Sequence, residues 1–310
     1  MLQETVFSTQ RSFVGKNMAS LSIVQLSDGA KVQVKLLGDS DETKPLIIVL
    51  HGAPGLSDHR EPISSFGFLA SDCRVLVYDA RGSGKSELRP PYTDERWVAD
   101  VDDLRSWAGA DKFVLAGGSY GGFVALQYAL SHPDRLLALI LRDTWACGLR
   151  GAFNFIKTIL ISDRITPDPD RQVRLNSGNI RDNEDFAAAF AEIVEIYKPK
   201  DDSASVGSRD TTFEGNDAHE HLHYETHNFA FSYNLPRLDV RSQLKDITAP
   251  TLVATGRHDV VVPVEYGEEI SRGIPNSELA IFEKSGHSPP TDEPEAFRET
   301  VSNFLSRRLK

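Results

Sequence analysis

Apolar positions along the 310-residue chain change their period several times. Residues 20–37 alternate apolar and polar side chains about Asp28-Gly29, the pattern of a β-hairpin with a tight turn. Short unbroken apolar runs follow at Leu46–Leu50, Val75–Tyr78, Phe113–Ala116 and Leu136–Leu141. Runs of that length fit strands covered on both faces. Helical spacing lies between them, at Asp94–Ala108 and Tyr120–Leu130. The alternation predicts an α/β fold: a mainly parallel sheet, flanked by helices, with right-handed crossovers.

Beyond about Trp145 the rhythm breaks. Residues 150–236 carry helical patterns at Phe153–Ile161, Glu184–Tyr197 and His219–Tyr233, with no buried strand among them. A polar loop over residues 198–218 separates the second from the third. Strand patterns return at Thr251–Thr255 and Leu279–Phe282, and an amphipathic helix closes the chain over Glu293–Leu309. The pattern predicts one α/β core, residues 1–145 and 237–310, interrupted by a helical cap at 146–236 that folds over one end of the sheet.

Composition adds bounds. With 40% hydrophobic and 25% charged residues, the chain is ordinary for a soluble enzyme. A net charge of −11 argues against a nucleic-acid partner, which needs clustered Lys and Arg. The first twenty residues lack the apolar run of a signal peptide, and every apolar stretch is far short of a membrane span. Cys73 and Cys147 give neither a disulfide framework nor a metal-ligand spacing. A cytoplasmic protein without cofactor, metal or membrane partner is expected.

The chemistry concentrates at strand ends. Gly117-Gly-Ser119-Tyr-Gly-Gly122 fits G-x-S-x-G, with an apolar strand before it and a helix after it. A serine on so sharp a turn needs small neighbours, and these glycines supply the room. A serine hydroxyl also needs a base to remove its proton. Asp259 and His287 each follow an apolar strand, so both belong at the sheet edge that carries Ser119, in the chain order serine, acid, histidine. His258, beside Asp259, reads as an exposed loop residue, and Asp79 as a residue that orders the Gly-rich turn after it. Oxyanion donors are expected at the backbone N–H of Tyr120 and, in the turn His51-Gly-Ala-Pro-Gly55, at that of Ala53.

His51-Gly-Ala-Pro-Gly55, Tyr78-Asp-Ala-Arg-Gly-Ser-Gly-Lys-Ser86 and Gly117–Gly122 together resemble the proline iminopeptidases, α/β-hydrolases that release an N-terminal residue from peptides. The likeness covers about residues 45–145 and 250–300. It implies an α/β-hydrolase fold, a Ser119–His287–Asp259 triad, and a small-molecule or short-peptide substrate with a free amine. The family reads His-Gly-Gly-Pro-Gly where this chain has Ala53, a departure that costs energy if the position requires positive φ. Family glutamates that bind the amine point to Glu225, in Glu225-Thr-His-Asn-Phe229, and to Glu214, in Phe213-Glu-Gly215. An esterase, lactonase or other amidase on the same core is the alternative, and a non-catalytic binding protein on this fold is a third.

One competing motif remains. His219-Glu-His-Leu-His223 satisfies H-E-x-x-H, in which two histidines one helical turn apart hold zinc. The expectation here is a cap helix without catalytic zinc, because the serine set already accounts for hydrolysis.

Overall fold

The structure, a computed structural model, describes residues 21–38, 41–200 and 221–309. The hairpin forms as β1 (Ser22–Gln25) and β2 (Lys31–Leu37), with Gly29 at φ 86° closing the turn. The unbroken apolar runs become β3 (Leu46–Leu50), β4 (Arg74–Tyr78), β5 (Phe113–Gly118) and β6 (Leu136–Arg142). β7 (Thr251–Gly256) and β8 (Ser277–Phe282) complete an eight-stranded sheet of order β1-β2-β4-β3-β5-β6-β7-β8. β1 and β2 pair antiparallel, as do β2 and β4; the remaining pairs are parallel.

Each face of the sheet has its own apolar layer. α1 (Arg60–Phe66) and the last helix, Pro294–Ser306, cover one face, where Phe66, Phe297, Val301 and Phe304 pack on Ile47, Val75 and Ile140. α2 (Asp94–Trp107) and α3 (Tyr120–Ser131) cover the other, burying Trp97, Leu104 and Phe123 with Ile48, Leu76 and Leu139. Parallel strands wound in this way put every strand-to-helix loop of one polarity along the same edge, where ligand sites of open α/β sheets lie.

Between β6 and β7 the described residues form helices and loops joined by a single bridge. α4 (Gly148–Ile161), α5 (Pro169–Ser177), α6 (Asn183–Ala191) and α7 (Tyr224–Phe229) follow in order. The chain leaves and re-enters side by side: Cys147 and Asp239 form an antiparallel bridge, Gly148 N donates to Leu238 O at 2.8 Å, and Val240 N to Ala146 O at 2.9 Å. α8 (Val264–Gly273), α9 (Pro289–Asp292) and α10 (Pro294–Ser306) finish the chain.

Two helical patterns come out differently from the sequence expectation, and one helix had no pattern to announce it. The helix expected over Glu184–Tyr197 stops at Ala191 and resumes as a 3-10 turn, Val194–Tyr197, whose carbonyls face tertiary donors. Arg164 reaches Glu195 O and Lys198 O, and Tyr197 O accepts from His287 N. Within the pattern read near His219–Tyr233, of which His219 and Glu220 lie outside the described residues, α7 covers Tyr224–Phe229 and passes into a π-helical turn, Ala230–Asn234. α5 had no counterpart in the periodicity, having few apolar positions, although Asp168 caps it, Pro169 opens it and Gly178 ends it at φ 67°.

Candidate active site

Ser119 stands between β5 and α3 with φ 51° and ψ −120°, a backbone that a non-glycine residue adopts only under strain. Its N–H donates to Arg142 O at 2.9 Å, and its carbonyl accepts from Thr144 Oγ1 at 2.9 Å and Gly122 N at 3.0 Å. These bonds peg the turn to the end of β6. Gly118 is required here for space, because a Cβ would overlap the guanidinium of Arg142 passing behind it.

Asp259 and His287 meet as expected from their strand ends. Nδ1 of His287 donates to Asp259 Oδ2 at 2.7 Å, and Asp259 Oδ1 accepts from Val261 N and Val262 N at 2.8 and 2.9 Å. The carboxylate is thereby fixed by two backbone donors while its other oxygen orients the imidazole. Both side chains are buried. Burial disfavours the imidazolium, but the charge and bond of Asp259, with a contribution from Asp143, outweigh it and raise the His287 pKa.

The His51–Gly55 turn lies against the serine: a Cβ on Gly52 would stand 3.2 Å from Ser119 Cβ and 3.7 Å from Ser119 Oγ. His51 fastens the turn, its Nδ1 donating to Gly52 O at 2.7 Å and its Nε2 accepting from Ala80 N at 2.9 Å. Ala53 has φ 28°, so the alanine does occupy a backbone region that favours glycine. Tyr120 starts α3, and its hydroxyl donates to buried Asp94 at 3.0 Å.

The remaining candidates divide. Asp79 orders the Gly-rich turn, accepting from Lys85 N at 2.8 Å and from His59 N at 2.9 Å. His258 is exposed. Glu225 lies in the first turn of α7 on its exposed side, while Thr226 and His227 form the buried side. Glu214, His219 and Glu220 lie outside the described residues. His223 precedes α7 with φ −138° and ψ 85°, so no continuous helix ends at it as H-E-x-x-H requires; its Nε2 bonds to Gly84 O at 2.8 Å.

Four residues at this edge escaped the sequence reading. Tyr197 sets its ring edge-on to His287, with centroids 5.1 Å apart and planes at 88°, and its carbonyl accepts from His287 N at 2.9 Å. Arg142 donates Nη1 to His287 O at 3.1 Å and pairs through Nη2 with Glu61 at 2.5 Å. Asp143 is buried behind them, and Trp145 stacks on Phe123 at 5.3 Å. The only signal for the middle two was a charged pair ending an apolar strand. Nothing marked Tyr197 or Trp145.

Residues 45–294 match the family model for the alpha/beta hydrolase fold. The chain belongs to that family. As a member it is a hydrolase, and it is similar to the proline iminopeptidases: a relative from Pestalotiopsis fici, proline iminopeptidase PfmaB, is 29% identical, with the match covering 90% of this chain and 98% of the relative. A Pseudomonas putida hydrolase of 2-hydroxy-6-oxononadienedioate and its triene analogue is likewise 29% identical, over 87% of this chain and 89% of that one. Among solved structures, a hydrolase from Pseudomonas aeruginosa superposes with a TM-score of 0.70 at 27% identity, over 93% of this chain and 99% of the other. No helix of the described residues is long and apolar enough to cross a membrane.

Proposed function

We propose that the protein cleaves an acyl bond by nucleophilic catalysis through Ser119. The observation that carries this reading is the strained backbone of Ser119 at the β5–α3 turn, on the sheet edge where the Asp259–His287 pair stands. His287 takes the hydroxyl proton as Ser119 Oγ bonds to the substrate carbonyl, then returns it to the leaving group when the acyl-enzyme forms. Water repeats the cycle and frees the acid. Asp259 keeps the tautomer with its proton on Nδ1 and stabilises the imidazolium. The N–H groups of Ala53 and Tyr120 are the proposed donors to the oxyanion.

The proposed substrate is a small amide or short peptide with a free N-terminal amine, supported by the proline iminopeptidase relative and the matching turns. A second reading, hydrolysis of a small ester or lactone, is favoured by the exposure of Glu225, the residue assigned to the amine. The aromatic neighbours of the site, Trp145, Phe123 and Tyr197, suit an apolar group equally well. Either substrate would enter beneath the helical segment between β6 and β7, which serves as the proposed cap.

Ser119→Ala should abolish covalent labelling by a fluorophosphonate and lower turnover by about 10⁴-fold or more, since such residues act as a unit. His287→Ala should match it, and His258→Ala should stay within about threefold of wild type. Persistent labelling of the Ser119 variant would place the nucleophile elsewhere. Proline arylamide, its N-acetyl form and a p-nitrophenyl ester, compared on the wild type, separate the two substrate readings.

A further inference from the structure

Tyr120 buries a hydroxyl where a phenylalanine would fill the same space. The residue is 4% exposed, and its ring lies among those of Trp97, Phe123 and Phe231, with centroids 5.7, 5.0 and 6.4 Å away. A hydroxyl sealed among aromatic rings costs free energy unless it is bonded, and phenylalanine would carry no such cost. Here the hydroxyl is bonded twice. It donates to Asp94 Oδ1 at 3.0 Å and accepts from Asn234 Nδ2 at 3.3 Å.

The two partners belong to different parts of the chain. Asp94 opens α2, and its other oxygen accepts from Gln127 Nε2 of α3 at 2.8 Å. Asn234 ends the π-helical turn between β6 and β7 and is also buried; its Nδ2 donates to Tyr92 O at 2.9 Å as well. A π-helical turn widens a helix by one residue and is found most often at functional sites. Phe229 and Phe231 of the same segment pack against Tyr92 and Tyr120, with ring centroids 6.2 and 6.4 Å apart. Apolar contacts of that kind allow sliding, whereas a hydrogen bond demands a direction. The bond from Asn234 therefore fixes where the segment stands relative to the first residue of α3.

Tyr120 directly follows Ser119, and its N–H is one of the two proposed oxyanion donors. We propose that Asn234 is a positioning residue for that donor: reaching from the proposed cap to the Tyr120 hydroxyl, it holds the first turn of α3 in the geometry that the oxyanion needs. The inference rests on the reading of Ser119 as the nucleophile and of Tyr120 N–H as an oxyanion donor. Asp94 holds the hydroxyl from the α2 side, and Asn234 makes the setting depend on the docking of the segment between β6 and β7. A donor serves only within about 0.5 Å of its productive position. A small shift of Tyr120 is therefore felt in the chemical step and not in ground-state binding.

Turnover of p-nitrophenyl acetate and labelling by a fluorophosphonate would be measured for Asn234→Ala, Tyr120→Phe and the double variant. Asn234→Leu, of similar size and also without the donor, serves as a second probe of the same bond. Each single change should lower kcat about tenfold with KM within about twofold, and should slow labelling to the same extent. Outright loss of an oxyanion donor would cost roughly 10²–10³-fold. In the Tyr120→Phe background, Asn234→Ala should cost about threefold or less, because the group it acts through is gone. The pH midpoint of kcat/KM should stay at the wild-type value, since neither change touches His287 or Asp259. A full tenfold loss on adding Asn234→Ala to Tyr120→Phe would route Asn234 through Tyr92 and overturn the proposal. Unchanged kcat in both Asn234 variants, or a loss carried by KM or by a moved midpoint, would overturn it too. Labelling of Ser119→Ala would instead overturn the reading beneath it.

Discussion

Ala53, Ser119 and Asp143 are the three non-glycine residues with positive φ among those described, and each follows a strand whose carboxyl end faces the candidate site. Strain of this kind persists where the surroundings enforce it, which is why it gathers at such sites. At Asp143 it has a measurable companion. Because the folded-state pKa lies above the ordinary 3.8, the stability associated with the neutral carboxyl is complete below about pH 4 and is lost as pH rises toward 8. Asp143→Asn imitates the neutral form, so its denaturant midpoint should gain on wild type across that interval, by at most about 1.4 kcal/mol per pH unit. His287, with its raised pKa, also gives up stability as pH climbs past it, and comparison with the variant isolates position 143. A constant difference from pH 4 to 8 would mean that Asp143 is already ionised. The strand-end positions of Ser119, Asp259 and His287 were legible in the sequence, because a motif and two strand patterns fix them locally. Asp143 was not, because its neighbours come from β7 and the His287 loop.

Among the elements, the Val194–Tyr197 turn couples the helices between β6 and β7 to His287, the proposed base. Its last carbonyl holds His287 N, and Gly286 has no Cβ because one would meet Tyr197 O at 2.6 Å. The Tyr197 ring then rests against the imidazole, itself backed by Phe155 and Phe190. An aromatic contact of this kind is worth about 0.5–1.5 kcal/mol, so Tyr197→Ala should lower kcat/KM on a small ester by about three- to tenfold and shift its pH midpoint. Tyr197→Phe keeps the ring and should restore both. An equal loss in the two variants would assign the effect to the hydroxyl. The break that makes this turn was invisible in the apolar spacing of residues 184–197, since backbone acceptors wanted by distant donors leave no mark on periodicity. The sheet, by contrast, was readable strand by strand, because burial on both faces writes itself into every position.

At the scale of the whole molecule, the segment leading into α7 docks on two loops of the sheet edge. His223 N donates to Gly55 O at 2.8 Å, its Nε2 meets Gly84 O at 2.8 Å, and Thr226 lies so close over Gly82 that a Cβ there would overlap it. Those contacts turn Thr226 and His227 inward and leave Glu225 exposed. Likeness to the iminopeptidases indicated the segment but could not indicate which side of the helix faces in, because that choice is made by partners more than a hundred residues away. An ion pair at an exposed carboxylate is worth about 0.2–1 kcal/mol, against several times more for one sealed from water. Glu225→Gln should therefore lower kcat/KM for a free-amine arylamide by about fivefold or less and leave a neutral ester of similar size unchanged. A loss of fiftyfold confined to amines would mean that substrate binding encloses Glu225, and the aminopeptidase reading would then stand on a residue of its own. No loss on the amine, with the ester hydrolysed faster than the arylamide by wild type, would transfer the assignment to the ester or lactone reading.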